Sequence, residues 1–416
     1  MIEVSAHLIG GPVYFAGDRI SCRVTFSNVR QTAGCPQNYI ATKKSEEVLG
    51  WASAQVVCVC TINPQKVLVM DSISNCNTSM TINSTSLSPK AGERGLVIFS
   101  TKPKILVCDL TLPDESNTDY LYQETLPSSL PPSFRGQAIK YSYKLKIGLQ
   151  RVGAPVKLLN IPFRLMTWQL CGLPNCQDEQ GIVVSNPFLK TSQCVNPEFD
   201  DPLETMQLLT SRRSPSVYKV TNGKGKVVKL ETMQLLTSRR SPSVYKVTNG
   251  KGKVVNLCLF KSGYRLGEDI VGTLDFSASN VSCIQYSVSL QSQEVVPEEK
   301  RRRIGPYSKF ADEIVTSYSK HHEFCIGFLQ THLSLPVPLH VTPSFDTDMV
   351  ALKWRLHFEF VTAVTPLRWS GENNWEAPTS LDIETMVWDL PIVIYPTTPA
   401  HVSKALYGTC DATVVL

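Results

Sequence analysis

The chain has 416 residues, of which 42% are hydrophobic and 19% are charged. This balance is typical of a soluble globular protein with room for two domains, and it excludes a disordered or fibrous chain. The formal net charge is +5, but the surplus lies in one duplicated segment described below, so no nucleic-acid partner is predicted.

The N-terminal segment gives the first indication of the compartment. Residues 1–7 lack the basic and apolar regions of a signal peptide, and no apolar run approaches the roughly 20 residues that span a bilayer. We therefore expect a cytoplasmic protein. Its 13 cysteines are then predicted to be reduced thiols, buried like small hydrophobic side chains, and not a disulfide framework.

Each half of the chain opens with the same turn-and-strand pattern. Gly17-Asp18 precedes an alternating run of apolar and polar residues, and Gly267-Glu268 precedes a similar run 250 positions later. Glycine reaches positive φ without steric cost, so a glycine followed by an acid indicates a tight turn. The alternation after it predicts a half-buried strand in each half.

The strongest pattern follows a Pro-Ser-Phe triplet at 132–134 and again at 343–345. In residues 139–147, and 211 positions later in 350–358, every second residue is apolar and several of those between are basic. Side chains on a strand alternate between faces, so each run is predicted to bury an apolar row and expose a basic row. A helix would instead spread the apolar residues around its circumference.

A third shared segment closes each half. Residues 161–165, with Pro162, correspond to residues 390–394, with Pro391. Proline near the start of a strand is confined to sheet edges, so both segments are predicted as edge strands. Their unpaired backbone groups make them candidate docking sites for an extended peptide. Further strands are predicted at 54–61, 95–99, 105–112, 280–290 and 332–339.

Many short strands in two similar halves, with no long amphipathic helix, indicate an all-β protein of two β-sandwich domains in tandem, joined by a linker. The predicted boundaries are an N-terminal sandwich at 1–170, a linker at 171–255, a C-terminal sandwich at 256–398 and a tail at 399–416.

The predicted linker contains a tandem duplication in which residues 203–228 and 230–255 are identical. The unit 203–229 has six basic residues and one acidic residue, so removing one copy would bring the net charge of the chain to zero. Only the second copy continues into the strand pattern of the C-terminal half. We therefore expect the first copy to be a surface excursion or disordered.

One segment of this duplication has a superficial likeness to a phosphate-binding loop. The glycine-lysine run 223–226 has Val220 where the first glycine of such a loop should stand and Val227 where its hydroxyl residue should stand. The run is therefore interpreted as a basic turn.

The cysteines do not predict a zinc site. Cys58 and Cys60 alternate within a predicted strand, and Cys171, Cys176 and Cys194 have no second matched set of ligands. No metal ligand and no cofactor are therefore predicted.

No catalytic constellation is evident either. The chain has no Gly-x-Ser-x-Gly elbow and no His-Glu-x-x-His pair, and His357 lies on an outward strand row. The charge run 297–303 is interpreted as a solvated loop, with docking on anionic lipid as the alternative. The arginine pairs at 212–213 and 239–240 are interpreted in the same way.

Residues 130–136 and the Tyr141 and Tyr143 strand resemble the central motif of arrestin-type N-domains. The chain is more specifically similar to the Rgp family of the Ric–Rgp complex, and the matching segments lie in both halves. They are 11–13, 51–55, 103–110, 134–152, 260–269, 352–362 and 388–391.

The resemblance implies two arrestin-like sandwiches in a cytoplasmic protein that is recruited peripherally to Golgi membranes. With a larger Ric partner, it would form a guanine-nucleotide exchange factor for a Golgi Rab GTPase of the Rab-six type, in retrograde transport. It would be the non-catalytic scaffold and recognition subunit. The alternatives are a retromer-type arrestin-like cargo adaptor and an enzyme, for which no constellation is found.

Overall fold

A computed structural model of the chain describes residues 1–29, 46–68, 87, 95–168, 242–302, 314–365, 380–406 and 411–416. The regular secondary structure of these residues is almost entirely β-strand, which confirms the predicted all-β class. A short α-helix, α1 (Pro399–Ser403), and one 3-10 turn, Glu298–Lys300, are the helical elements of the described ranges.

The N-terminal half begins with ten strands. They are β1 (Ile2–Ile9), β2 (Val13–Phe15), β3 (Arg19–Asn28), β4 (Glu47–Ile62), β5 (Leu96–Ser100), β6 (Lys104–Leu112), β7 (Asn117–Thr125), β8 (Phe134–Arg135), β9 (Ile139–Arg151) and β10 (Lys157–Met166).

The C-terminal half contributes the other eleven. They are β11 (Ser243–Asn249), β12 (Gly252–Leu259), β13 (Gly263–Arg265), β14 (Asp269–Asp275), β15 (Cys283–Val295), β16 (Ile314–Phe324), β17 (Gln330–Pro336), β18 (Phe345–Asp346), β19 (Ala351–Ala363), β20 (Ile383–Tyr395) and β21 (Asp411–Val415).

Each half is built from two packed sheets. The N-terminal sheets run β21-β1-β3-β7 and β2-β10-β9-β4-β5, with β6 beside β4 and β8 beside β9. The C-terminal sheets run β11-β12-β14-β17 and β13-β20-β19-β15-β16, with β18 beside β19. The two halves therefore repeat one strand order, which agrees with the shared sequence blocks.

The predicted alternation is present in the long strands. Along β9 and β19 the apolar positions point into the core and are buried, from Ile139 to Ile147 and from Leu352 to Phe358. The apolar residues of the N-terminal half form one cluster from both of its sheets. A second cluster fills the C-terminal half and includes residues of the N-terminal half that face it, such as Phe15 and Phe134.

The turn predicted at the start of each half is also observed. Gly17 and Gly267 have φ of 97° and 80°, a region that side chains other than glycine rarely adopt. The acid that follows each glycine accepts a backbone hydrogen bond, at 2.8 Å from Phe15 N to Asp18 Oδ2 and at 3.1 Å from Arg265 N to Glu268 Oε2. The carboxylate thus closes each turn.

Two of the predicted boundaries differ from the observed strands. β11 and the first half of β12 lie within the predicted linker 171–255, yet β11 pairs with β12, and β12 pairs with β14, in the C-terminal sheet. β21 lies within the predicted tail 399–416, yet it pairs with β1 in the N-terminal sheet. We propose that the C-terminal sandwich begins at β11 and that the N-terminal sandwich includes β21. Residues 169–241 and the first copy of the duplication lie outside the described residues.

Candidate interaction surfaces

The junction between the two halves is centred on a buried carboxylate. Glu294 of β15 is 5% exposed and reaches across to the turn before β9. Its oxygens accept hydrogen bonds from three successive backbone amides, Gln137 N at 2.7 Å, Ala138 N at 3.1 Å and Ile139 N at 3.0 Å. A Cβ atom at Gly136 would collide with this carboxylate, so glycine is required beside it. A single side chain of the C-terminal half therefore holds a turn of the N-terminal half.

The Pro-Ser-Phe triplets have the same role in each half. The Ser133 hydroxyl accepts from Leu165 N at 2.8 Å, and its own N–H donates to Leu165 O at 2.8 Å. Ser344 makes the equivalent pair with Ile394, at 3.0 Å and 2.9 Å. Each serine thus ties the loop before the long strand to the end of the closing strand.

The two triplets also meet each other at the junction. The rings of Phe134 and Phe345 pack edge to face with centroids 5.1 Å apart. The Thr342 hydroxyl donates to Ser133 O at 3.2 Å. The Arg164 guanidinium donates to Val341 O at 2.6 Å, and burial lowers the pKa of Arg164 to about 10. The motif that the sequence repeats is therefore one part of the contact between the halves.

The charge run 297–303 lies at this junction as far as it is described. The Arg302 guanidinium donates to Pro64 O at 2.7 Å, and Arg301 forms a β-bridge with Val67. The backbone N–H of Leu68 donates to Lys300 O at 2.8 Å. These contacts differ from the predicted solvated loop, because the run is engaged by the N-terminal half. Arg303 and the arginine pairs at 212–213 and 239–240 lie outside the described residues.

The predicted edge strands 161–165 and 390–394 lie within β10 and β20. At its C-terminal end each is covered by a short parallel strand, β2 beside Arg164–Met166 and β13 beside Val393–Tyr395. Upstream of this cover, β20 pairs with β19 from Ile383 to Ile392, and no described strand pairs with its other edge. The prediction of edge strands is therefore correct only for the part of each strand that precedes the segment paired with β2 or β13.

The upstream parts of the two edges differ in their exposed side chains. In β20, Ile383 and Val387 are 58% and 56% exposed. In β10 the exposed residues are polar or proline, including Asn160, and Lys157 Nζ donates to Val415 O of β21 at 2.7 Å. The β20 edge, defined here as Ile383 to Ile392, is thus the more apolar and open of the two.

The basic rows are only partly at the surface. In β9, Lys140 is exposed, but Lys146 is 0% exposed, so the prediction of a fully exposed row was wrong there. In β19, Arg355 and His357 lie against Asp389 of β20, with N–O distances of 3.1 Å and 2.6 Å. Burial of a lysine and pairing with a carboxylate both reduce the attraction of these rows for acidic segments.

None of the cysteines that the structure describes forms a disulfide, although Cys283 and Cys325 are neighbours, with the Cys325 thiol 3.7 Å from Cys283 O. Cys58 and Cys60 point inward from β4, and burial raises their pKa to about 12 and about 11. Among the described residues, no three histidine, cysteine or acidic side chains lie close enough together to hold a metal ion. Cys171, Cys176 and Cys194 lie outside those residues.

The second glycine-lysine run, at 250–253, forms the hairpin turn between β11 and β12. This agrees with its interpretation as a basic turn.

Within the ranges that the structure describes, none of the helical segments has the length and apolar character required to traverse a bilayer.

Comparisons with known proteins identify the family. A model of the Rgp1 family matches residues 41–168 and 177–363. The chain is 38% identical over 430 residues to a protein of Homo sapiens named RAB6A-GEF complex partner protein 2, with 100% of both chains covered. It is 39% identical over 406 residues to the protein of the same name from Bos taurus, with 94% of this chain and 93% of the relative covered.

Proposed function

The chain belongs to the Rgp1 family, and we propose that it is a scaffold and recognition subunit of a guanine-nucleotide exchange factor complex for a Rab GTPase. The observation that carries this proposal is the similarity over the full length of both chains to RAB6A-GEF complex partner protein 2. The same similarity does not favour the alternative of a retromer-type cargo adaptor.

The proposal also names the partner subunit, the GTPase and the membrane. The other subunit is the larger Ric protein, the substrate is a Golgi Rab GTPase of the Rab-six type, and the complex acts peripherally on Golgi membranes. This subunit has no catalytic centre of its own. Nucleotide release is then the task of elements elsewhere in the complex, and the sandwiches bind and orient.

The β20 edge is the proposed docking site for an extended segment, either from the tail of the GTPase or from the partner subunit. An open edge offers alternate N–H and C=O groups that can accept one more strand. The exposed side chains of Ile383 and Val387 beside these groups add apolar area. Binding a tail at this edge would raise the effective concentration of the GTPase at the catalytic part of the complex.

Nucleotide release tests the division of labour. The purified chain, the partner subunit and their complex are each mixed with GTPase loaded with a fluorescent guanine nucleotide, and release is followed over time. We expect release by the complex and none above the intrinsic rate by this chain alone. Full exchange activity of this chain without a partner would contradict the non-catalytic role.

Substitutions at the edge test the docking site. Val387→Lys and Ile383→Lys place charges beside the open backbone groups, where they also oppose addition of an apolar strand. Ile105→Lys is the matched control, because Ile105 is 71% exposed on β6 of the other half. We expect the β20 variants to weaken binding of the GTPase or the partner at least tenfold while the control binds normally. Equal binding by all three variants would exclude the β20 edge.

A further inference from the structure

One strand of the C-terminal sheet has an identical copy elsewhere in the chain. β11 pairs with the edge of β12 from Ser243–Leu259 to Asn249–Gly252. Its Val247 is 3% exposed in the core, and its Tyr245 ring lies 5.9 Å from the ring of Trp388. Residues 216–222 have the same sequence as β11, Ser-Val-Tyr-Lys-Val-Thr-Asn.

This sequence identity has a structural consequence for β11 but not for β12, because only β12 continues into residues that the first copy lacks. β12 continues into Asn256–Leu259, which pair with Gly272–Asp275 of β14. This segment follows only the second copy, since Lys229, Glu231 and Thr232 stand after the first copy where Asn256, Cys258 and Leu259 stand after the second. β12 therefore belongs to the second copy, whereas the side-chain contacts that β11 makes in the core, outside its own turn, can be made equally by residues 216–222.

We propose that the edge of β12 is a docking site for residues 216–222, which take the place of β11 in a minor population of molecules. In that state Val220 fills the position of Val247 and Tyr218 that of Tyr245. The sheet keeps its strand order, and the second copy of the strand leaves the edge.

Loop length sets the balance between the two states. β11 reaches β12 through Gly250 and Lys251, whereas residues 216–222 would reach it through the 29 residues 223–251. Closure probability falls roughly as the 3/2 power of loop length, so the exchanged state is about 50-fold less populated. The observed turn has a further advantage, because Asn249 Oδ1 accepts from Lys251 N and Gly252 N at 2.9 Å and 3.1 Å.

Disulfide trapping measures this population directly. Cys258 lies opposite Val244 in the pairing of β11 with β12, so it lies opposite Val217 in the exchanged state. Val217→Cys is oxidised with oxidised glutathione, and the intrachain link to Cys258 is followed by peptide mapping. Val247→Asp, which puts a carboxylate in the core, is then added to expel the second copy. We expect the initial rate of the 217–258 link to rise at least about 50-fold, the factor that loop length alone gives.

Two controls fix the scale. Val244→Cys should form its link to Cys258 at the full rate in an otherwise unchanged chain and lose it when Val247→Asp is added. Val220→Asp, which damages the first copy, should abolish the 217–258 link in every background. A 217–258 link whose rate does not respond to Val247→Asp, or that joins two chains, would overturn the proposal.

Stability gives an independent measurement that needs no cross-link. Val220→Asp alone should leave the melting temperature unchanged, but added to Val247→Asp it should lower the melting temperature further, because the replacement strand is then lost. In a chain lacking residues 203–229, Val247→Asp should be as harmful as the double substitution. Val247→Ala is the milder form if the aspartate prevents folding. Additive effects of the two substitutions would contradict the exchange.

Discussion

Substitution of Glu294 is the most direct test of how the two halves are joined. The carboxylate is 5% exposed and accepts hydrogen bonds from three successive backbone amides. A net contribution of roughly 1.5–3 kcal/mol is typical of one hydrogen bond to a charged group. The three bonds share one carboxylate and do not add fully, so we expect Glu294→Ala to cost about 4 kcal/mol.

Glu294→Gln removes the negative charge but keeps the size and shape of the side chain. Its carboxamide oxygen can still accept from Ala138 N and Ile139 N, which are bonded to Oε1 in the native chain. Its NH₂ group replaces Oε2 and faces the Gln137 N–H, a second donor, at the shortest of the three contacts. One hydrogen bond is lost and two donors are opposed, so we expect a cost of about 2 kcal/mol.

The measurement is thermal and denaturant unfolding, together with amide exchange of residues 134–141. Glu299→Gln is the matched control, because this substitution removes the same charge from an exposed position five residues away. For a domain of 150–250 residues, about 2 kcal/mol corresponds to a melting shift of roughly 4–8 °C. We expect the order Glu294→Ala, Glu294→Gln, Glu299→Gln from most to least harmful. Equal stability of the two glutamine variants would refute the role given to the Glu294 charge.

Three further outcomes are expected. Removing residues 411–416 takes Val414 and two other apolar side chains from the N-terminal core, which should cost about 2 kcal/mol in denaturant unfolding; unchanged stability would show that β21 is dispensable. Ser344→Ala removes the hydroxyl that accepts from Ile394 N, and should cost about 1 kcal/mol in the same assay, against no cost for an exposed serine. At pH 8 a thiol reagent should modify the exposed Cys108 before Cys58, because burial raises the Cys58 pKa to about 12 and keeps its thiol protonated; mass spectrometry showing Cys58 modified first would contradict this.

The long strands were predictable because their periodicity is a local property. Every second residue from 139 to 147 is apolar, and one buried sheet face demands that spacing whatever the strand pairs with. The Gly-acid turns were predictable for the same reason, since glycine φ and the carboxylate act within three residues. Both signals are complete within the segment that carries them.

The junction could not be predicted because its signals are not local. Glu294 stands in a buried row of β15, where periodicity predicts an apolar side chain, and its partners lie 155 to 157 positions away. The only sequence signal was an acid at an inward position, which marks a buried contact without identifying it. Lys146 is the converse case, because its alternation predicts exposure and only tertiary cover buries it.

The two edge strands of the outer sheets show a third limit. β21 occupies in the N-terminal sheet the place that β11 occupies in the C-terminal sheet, beside β1 and β12. β11 is adjacent in sequence to the strand it pairs with, so a hairpin signal marks it, whereas β21 is joined to β1 only through the whole intervening chain. Five residues of alternating exposure carry too little pattern to identify a strand alone. The last strand of the chain therefore completes the first sandwich, while Glu294 of the second sandwich holds a turn of the first. Each half therefore depends on residues of the other.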